Sequence, residues 1–105
     1  MTEDIEVVDR PDSTRYEILS NGEVAGHVEY HAMDEHIVLT HAETDPAFEG
    51  RGIASALAKG VFDDLRARGV KADPQCPFMA RWLAKHPEYS DVVVAGAVPD
   101  AEETT

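Results

Sequence analysis

The chain has one cysteine, Cys76, so no intramolecular disulfide can staple it. Basic residues are scarce. Lys+Arg number 9 against 21 Asp+Glu, for a net charge of −12, which excludes a basic nucleic-acid-binding patch. No apolar run approaches the roughly 20 residues that span a bilayer. The first residues, Met1-Thr2-Glu3-Asp4, are acidic and lack the apolar core of a secretory leader. Repeats, linkers and low-complexity segments are also missing. These absences predict a soluble, cytoplasmic protein with no membrane or nucleic-acid partner. What remains is 105 residues, 43% of them hydrophobic, enough for one core and too few for two. The expectation is a single domain over 1–105, with a core over about 5–95 and a frayed acidic tail over 98–105. The acidity either serves solubility or a salty cytoplasm, or favours a cationic substrate such as an amine.

Periodicity gives the elements. Ile5 to Val8 is a short β-type run ended by Arg10-Pro11-Asp12, and Arg15 to Leu19 is a second, with Tyr16 and Ile18 on one face. Asn21-Gly22 supplies a two-residue hairpin turn. Val24 to Ala32 alternates, with Val24, Gly26, Val28, Tyr30 and Ala32 on one side and Ala25, His27, Glu29 and His31 on the other. Ile37 to Thr44 is the fourth strand, placed centrally. From about Gly52 to Arg68, Ile53, Leu57, Val61 and Leu65 repeat every four residues beside Ala54, Ala58 and Phe62, the pattern of a helix covering one sheet face. Val70 to Asp73 reads as a strand. Pro77 opens a second helix, through Phe78, Trp82 and Leu83, which His86-Pro87 stops. Val92 to Val94 is a last short strand or a packed tail. The sum is an α+β domain.

The chain is organised around Phe48-Glu49-Gly50-Arg51-Gly52-Ile53-Ala54. A strand leads in and a helix leads out, and the first N–H groups of a helix favour an anion. Glycines there let backbone approach a ligand closely, which points to a pyrophosphate. A P-loop needs Lys-Ser or Lys-Thr after the last glycine, and Ile53-Ala54 stands there instead. The dinucleotide fingerprint would assign roles to Ser55 and Asp73, but it needs repeated strand-helix-strand units, and the chain before Gly50 reads mostly as strand. An ordinary glycine-rich connection is the alternative.

Glu49 to Ala54 resembles the Q/R-x-x-G-x-G/A turn of the GNAT superfamily of N-acetyltransferases at five of its six positions, Glu49 being the departure. Three further segments, His41-Ala42-Glu43-Thr44, Cys76-Pro77-Phe78 and His86-Pro87-Glu88-Tyr89, resemble a small single-domain GNAT subfamily, in the same order, over roughly Tyr16 to Val93. Ala42 stands where that subfamily has Thr. The resemblance implies a mixed sheet of about five strands, mainly antiparallel, with two main helices. It implies acetyl-CoA as cosubstrate, an amine acceptor (small molecule or protein) and no metal. Its turn would hold the cofactor pyrophosphate through Thr44, Gly50, Arg51, Gly52, Ile53, Ala54 and Ser55.

Acetyl transfer needs a neutral amine and a proton for the departing thiolate. The resemblance puts a general base at Glu43. Its period-2 neighbour His41 shares that side and could relay a proton; otherwise the pair is a solvated acid and a structural histidine. Cys76 precedes Pro77 and so falls at a helix N-cap, where a thiolate is stabilised. It could accept the acetyl group, touch the cofactor sulfur, or simply pack. Trp82 and Phe78 read as core. Arg81 and Lys85 are cofactor-phosphate contacts or ordinary surface charges. His27, Glu29 and His31 share a face but lack a further metal ligand. The enzyme reading therefore competes with a non-catalytic acyl-CoA-binding module and with a small interaction protein.

Overall fold

The computed structural model describes residues 4–50 and 52–94; Arg51 and the acidic tail lie outside them. Five strands form one sheet in chain order: β1 Ile5–Arg10, β2 Arg15–Ser20, β3 Glu23–Ala32, β4 His36–Thr44 and β5 Lys71–Pro74. The first four are antiparallel neighbours, and β5 runs parallel to β4. Parallel pairing requires a crossover, and helix α1, Ile53–Arg68, supplies it. Helix α2, Pro77–Ala84, follows β5. Short 3-10 turns cover Pro11–Ser13, Pro46–Phe48 and Pro87–Val92, each begun by a proline whose fixed φ suits a helical start. The expected GNAT-like α+β architecture is the observed one.

The hairpin turn is as its residues require: Asn21 and Gly22 both take positive φ, 52° and 87°. On α1, Ile53, Leu57, Ala58, Val61, Phe62 and Leu65 are buried, against Tyr16, Ile18, Val28 and Leu39 of the sheet. One expectation needs correction. The alternation along β3 fails at its start, where Ala25 is buried and Val24 is 43% exposed. A bulge opposite Ile18 and Leu19 leaves Ala25 as the extra residue, so the faces of Val24 and Ala25 exchange. Of the two expectations for Val92–Val94, the packed tail is observed: Val92 and Val93 are buried, and Val93 makes a single parallel bridge to Ala72.

Polar ties lock α1 onto the sheet. The Tyr16 hydroxyl donates to Asp64 Oδ2 at 2.6 Å, and the Tyr30 hydroxyl to Asp9 Oδ1 at 2.6 Å. Arg68 bridges Asp9, Asp64 and the Tyr16 oxygen. Burial, and then the Asp9 bond, push the Tyr30 hydroxyl up to about 12, so it stays a proton donor at neutral pH.

A second break shapes the site. Glu29 pairs with His41 and Tyr30 with Leu39, so Thr40 bulges out of β4. The pairing of β4 with β5 ends at Leu39 and Pro74. Proline brings no N–H to a ladder. The Leu39 carbonyl instead accepts from the Cys76 amide at 2.9 Å, and the chain leaves the sheet to start α2. Among the described residues, β4 from His41 onward keeps β3 as its only strand neighbour.

Gly60, in the middle of α1, sits directly on β1. A Cβ there would lie 2.5 Å from Val7 Cγ2 and 2.7 Å from Val7 Cβ. Valine is stiff and cannot swing aside, so β1 would have to move. We therefore expect Gly60→Ala to lower stability by about 1–3 kcal/mol through overpacking, despite its better helix propensity. In a Val7→Gly background, which removes both contacts, the same change should stabilise by about 1 kcal/mol. Urea denaturation of the four proteins tests this; a stabilising Gly60→Ala in the parent would refute the contact.

Candidate functional site

The glycine turn lies where β4 has lost its outer partner. Asp45 ends the strand region, and its Oδ1 accepts from the Ala47 amide at 2.9 Å, fixing the turn of Pro46–Phe48. Gly50 and Gly52 then take φ of 85° and 73°, a region that L side chains rarely adopt. At both positions a Cβ would meet nothing within 4 Å, so each faces open space. Gly52 is the N-cap of α1, and no side chain caps that end. The first intrahelical bond runs from the Ala56 amide to the Gly52 carbonyl at 3.0 Å. The amides before it at the helix start have no partner within the helix. No acid occupies the first turn.

This turn forms one wall of a groove of about 430 Å³. Thr44, Gly50, Gly52, Ile53, Ala54 and Ser55, all named from the sequence, line it; Arg51 lies outside the described residues. Phe48, Glu49 and Phe78 line it as well. Phe78 shares a helical face with the core residue Trp82, and this spacing alone placed both inside. The Trp82 indole is buried, stacks 3.8 Å from the His86 ring and donates to Ser55 Oγ at 2.9 Å, which anchors α2 beside the start of α1. Phe78, one turn earlier, is left at the groove. The cradle of bare backbone amides and open glycines fits a diphosphate.

His41 and Glu43 lie on the opposite, open face of the sheet. Two cross-strand rows build that face: Val8, Glu17, His27 and Glu43 in one, and Arg10, Arg15, Glu29 and His41 in the next. Arg15 and Arg10 reach Glu17 at 2.6 and 3.1 Å; their hydrogen bonds hold its carboxyl below the usual range against the opposing effect of burial. Nε2 of His41 lies 3.9 Å from Glu43 Oε1, as does Nε2 of His27, which is also 3.3 Å from Glu29 Oε2. So the structure brings His41 and Glu43 together and adds His27, which sequence reasoning had set aside. Its position opposite Glu43 depends on strand register. Among the described residues no cluster has a metal-binding arrangement. Thr44 lines both the groove and a smaller hollow of about 260 Å³ beside His27 and Glu43. Thr44, at the end of β4, thus borders both the groove and the open face.

Cys76 is the N-cap of α2, as the proline spacing predicts, but its side chain makes no capping bond and it is 3% exposed. It packs in the core beside the last β4–β5 contact. Tyr89 is also buried. Its hydroxyl donates to Asp63 Oδ1 at 2.6 Å, which raises the phenol and lowers the acid, and Arg66 lies 4.6 Å above its ring. It is a strut between α1 and the Pro87–Val92 turn.

Comparison with known proteins agrees with this architecture. A solution structure of a Staphylococcus aureus protein described as GCN5-like superposes with a TM-score of 0.59 at 22% identity, over 85% of this chain and 87% of that one. That likeness bears on fold alone. Protein NATD1 of Xenopus tropicalis is 37% identical over 49 residues, which is 47% of this chain and 45% of that protein. The match therefore spans less than half the length of that curated relative. Residues 15–92 match the sequence model of a family described as GCN5-related N-acetyl-transferase. That stretch runs from the first residue of β2 to the last turn of the core, with the groove inside it, and the chain belongs to the GCN5-related N-acetyltransferase family.

Proposed function

We propose that this protein transfers an acetyl group from acetyl-CoA to a primary amine. The observation that carries the reading is the uncapped start of α1 behind Gly50 and Gly52, opening on a groove beside an unpaired strand edge. The bare amides would hold the pyrophosphate. The β4 edge beyond Leu39 offers unpaired peptide groups to an extended amide-bearing arm, as a missing strand would. That arm would run from the turn towards Cys76. Acetyl-CoA supplies the activated acetyl group: its carbonyl carbon would form a bond to the amine nitrogen and lose its bond to sulfur, and CoA would leave as the thiolate and take its proton from solvent.

The amine approaches from the open face. Glu43 takes its proton, with His41 as relay to solvent, because both side chains are more than half exposed and lie side by side. The net charge of −12 favours a cationic acceptor. Among the described residues no inserted helix walls in the open face, so a protein amine or a polyamine suits it. Cys76, buried at 3% exposure, is assigned to the wall of the thioester end, not to nucleophilic attack. A binding module without turnover is the second reading, favoured by Glu49 at the groove, where a carboxylate opposes a pyrophosphate.

Acetyl-CoA and CoA should raise the melting temperature, and NAD should not. Gly52→Asn tolerates the left-handed backbone better than a β-branched residue does and puts a side chain into the groove. It should fold normally and lose acetyl-CoA binding by at least about tenfold. Unchanged binding would remove the turn from the site.

Replacing Glu43 with Gln keeps shape and removes the base. Turnover should fall by roughly 10²-fold at neutral pH, with acetyl-CoA affinity kept. Full turnover in this variant across the pH range would move the base to His41; no turnover in the parent, with binding intact, would favour the second reading.

Cys76 should alkylate slowly in the native state and fast in urea. Incubation with acetyl-CoA should leave no acetyl adduct in the intact mass, and Cys76→Ala should retain most of kcat. A trapped acetyl-cysteine, lost in that variant together with transfer, would establish a covalent route instead.

A further inference from the structure

The two ends of α1 carry opposite polarity. Its start faces the groove with bare amides. Its far end, 16 residues and about 24 Å along the axis, borders a second cavity of about 530 Å³, larger than the groove. The β3–β4 turn, the end of β1 and the exit from α1 enclose this cavity, at the opposite end of β4 from the glycine turn. It shares no lining residue with the groove or with the hollow beside Glu43.

The end of α1 explains both the space and its sign. Gly69 closes the helix in the left-handed conformation, and a Cβ there would meet nothing within 4 Å. Its amide returns to the Leu65 and Arg66 carbonyls, and the Val70 amide to that of Leu65. The carbonyls of Ala67 and Arg68 are left without a partner inside the helix, so the negative end of the dipole lies at the cavity wall.

The lining is half apolar and half acidic. Ile37 and Leu65 are buried beneath it. Met33, on the β3–β4 turn, is 55% exposed, the most of any large hydrophobic residue among those described. The charged groups of the lining are Asp9, Asp34, Glu35 and Arg68, with His36 and the Tyr30 hydroxyl as the other titratable ones. Arg68 is already held by Asp9, Asp64 and the Tyr16 oxygen, and Tyr30 donates to Asp9. Asp34 and Glu35 have no ion pair or hydrogen bond among the described residues. Carboxylates therefore outnumber the one guanidinium, and the helix end adds to them. Such a cavity repels an anion and draws in a cation that brings its own apolar body.

We infer that this cavity is a second ligand site, for a small organic amine with an apolar chain or ring. The ammonium lies against Asp34, Glu35 and the carbonyl end of α1, and the hydrocarbon part against Met33, Ile37 and Leu65. The site is separate from the acceptor position on the open face and does not depend on acetyl transfer.

Three probes of nearly one shape and different charge test it: 2-phenylethylamine, 2-phenylethanol and phenylacetate, titrated into the isotope-labelled protein and followed by the shifts of its backbone amides. The amine should move the amides of Met33 to Ile37 and of Leu65 to Val70. It should bind about fivefold tighter than the alcohol, and the acid should not bind. Added salt should weaken the amine alone. An Asp34→Asn, Glu35→Gln double variant should bind the amine only as well as the alcohol; both positions are exposed, and circular dichroism checks the fold. Met33→Ser should weaken amine and alcohol alike. Shifts confined to the amides around Glu43 and Thr44 overturn the site, and so do equal binding of the three probes, full amine affinity in the double variant, or no amine binding at about 10 mM.

Discussion

Everything distinctive about this fold depends on where the parallel ladder between β4 and β5 stops. A parallel pair with free residues on both strands would continue zipping. Here Pro74 brings no N–H, the Gln75 amide turns back to the Asp73 carbonyl, and the Cys76 amide makes the last bond to β4, at the Leu39 carbonyl, before α2 begins. The strands must diverge at that point. Because β4 runs on to Thr44 against β3, its far edge is left without a strand. The groove beside the uncapped helix start is a consequence of this one interruption. The Thr40 bulge works with it, setting which side chains of the free segment face outward.

The two faces of β4 divide the chemistry. On the helix face, apolar packing by α1 and α2 builds a wall and leaves backbone amides exposed at the Gly52 cap. On the open face there is no core to satisfy, and the strand rows hold alternating acids, histidines and arginines that neutralise one another. Glu17 is buried under Arg10 and Arg15, whereas Glu43 keeps only histidine neighbours. The difference lies in what stands across the strand, since no arginine reaches the β4 row. Glu43, like Glu29, thus has histidines as its charged partners among the described residues, as a proton acceptor needs.

Much of this was legible in the residues. Asn21-Gly22, the four-residue repeat of α1 and Pro77 each encode their element locally, and the structure has them where those signals put them. The glycine turn was legible as an anion cradle for the same reason: positive φ and a helix start are short-range properties. The bulges at Ala25 and Thr40 were not, because a strand pattern carries no mark of which partner residue it skips. Phe78 was hidden because its spacing matches that of the core residue Trp82, and only the Trp82–Ser55 bond decides which of the two reaches the groove. The pairing of His27 with Glu43 was likewise invisible, since it is a fact of register.

The sheet order follows the chain order, and this has a kinetic consequence. Each antiparallel pair can close as a local hairpin, so β1 to β4 can assemble without waiting for distant parts of the chain. The groove cannot form this way. Its walls come from the end of β4, the glycine turn, α1 and α2, and α2 is placed only after the crossover has docked β5. A partly folded chain would therefore hold a finished meander with no pocket, and ligand binding would report on completion of the last step of assembly.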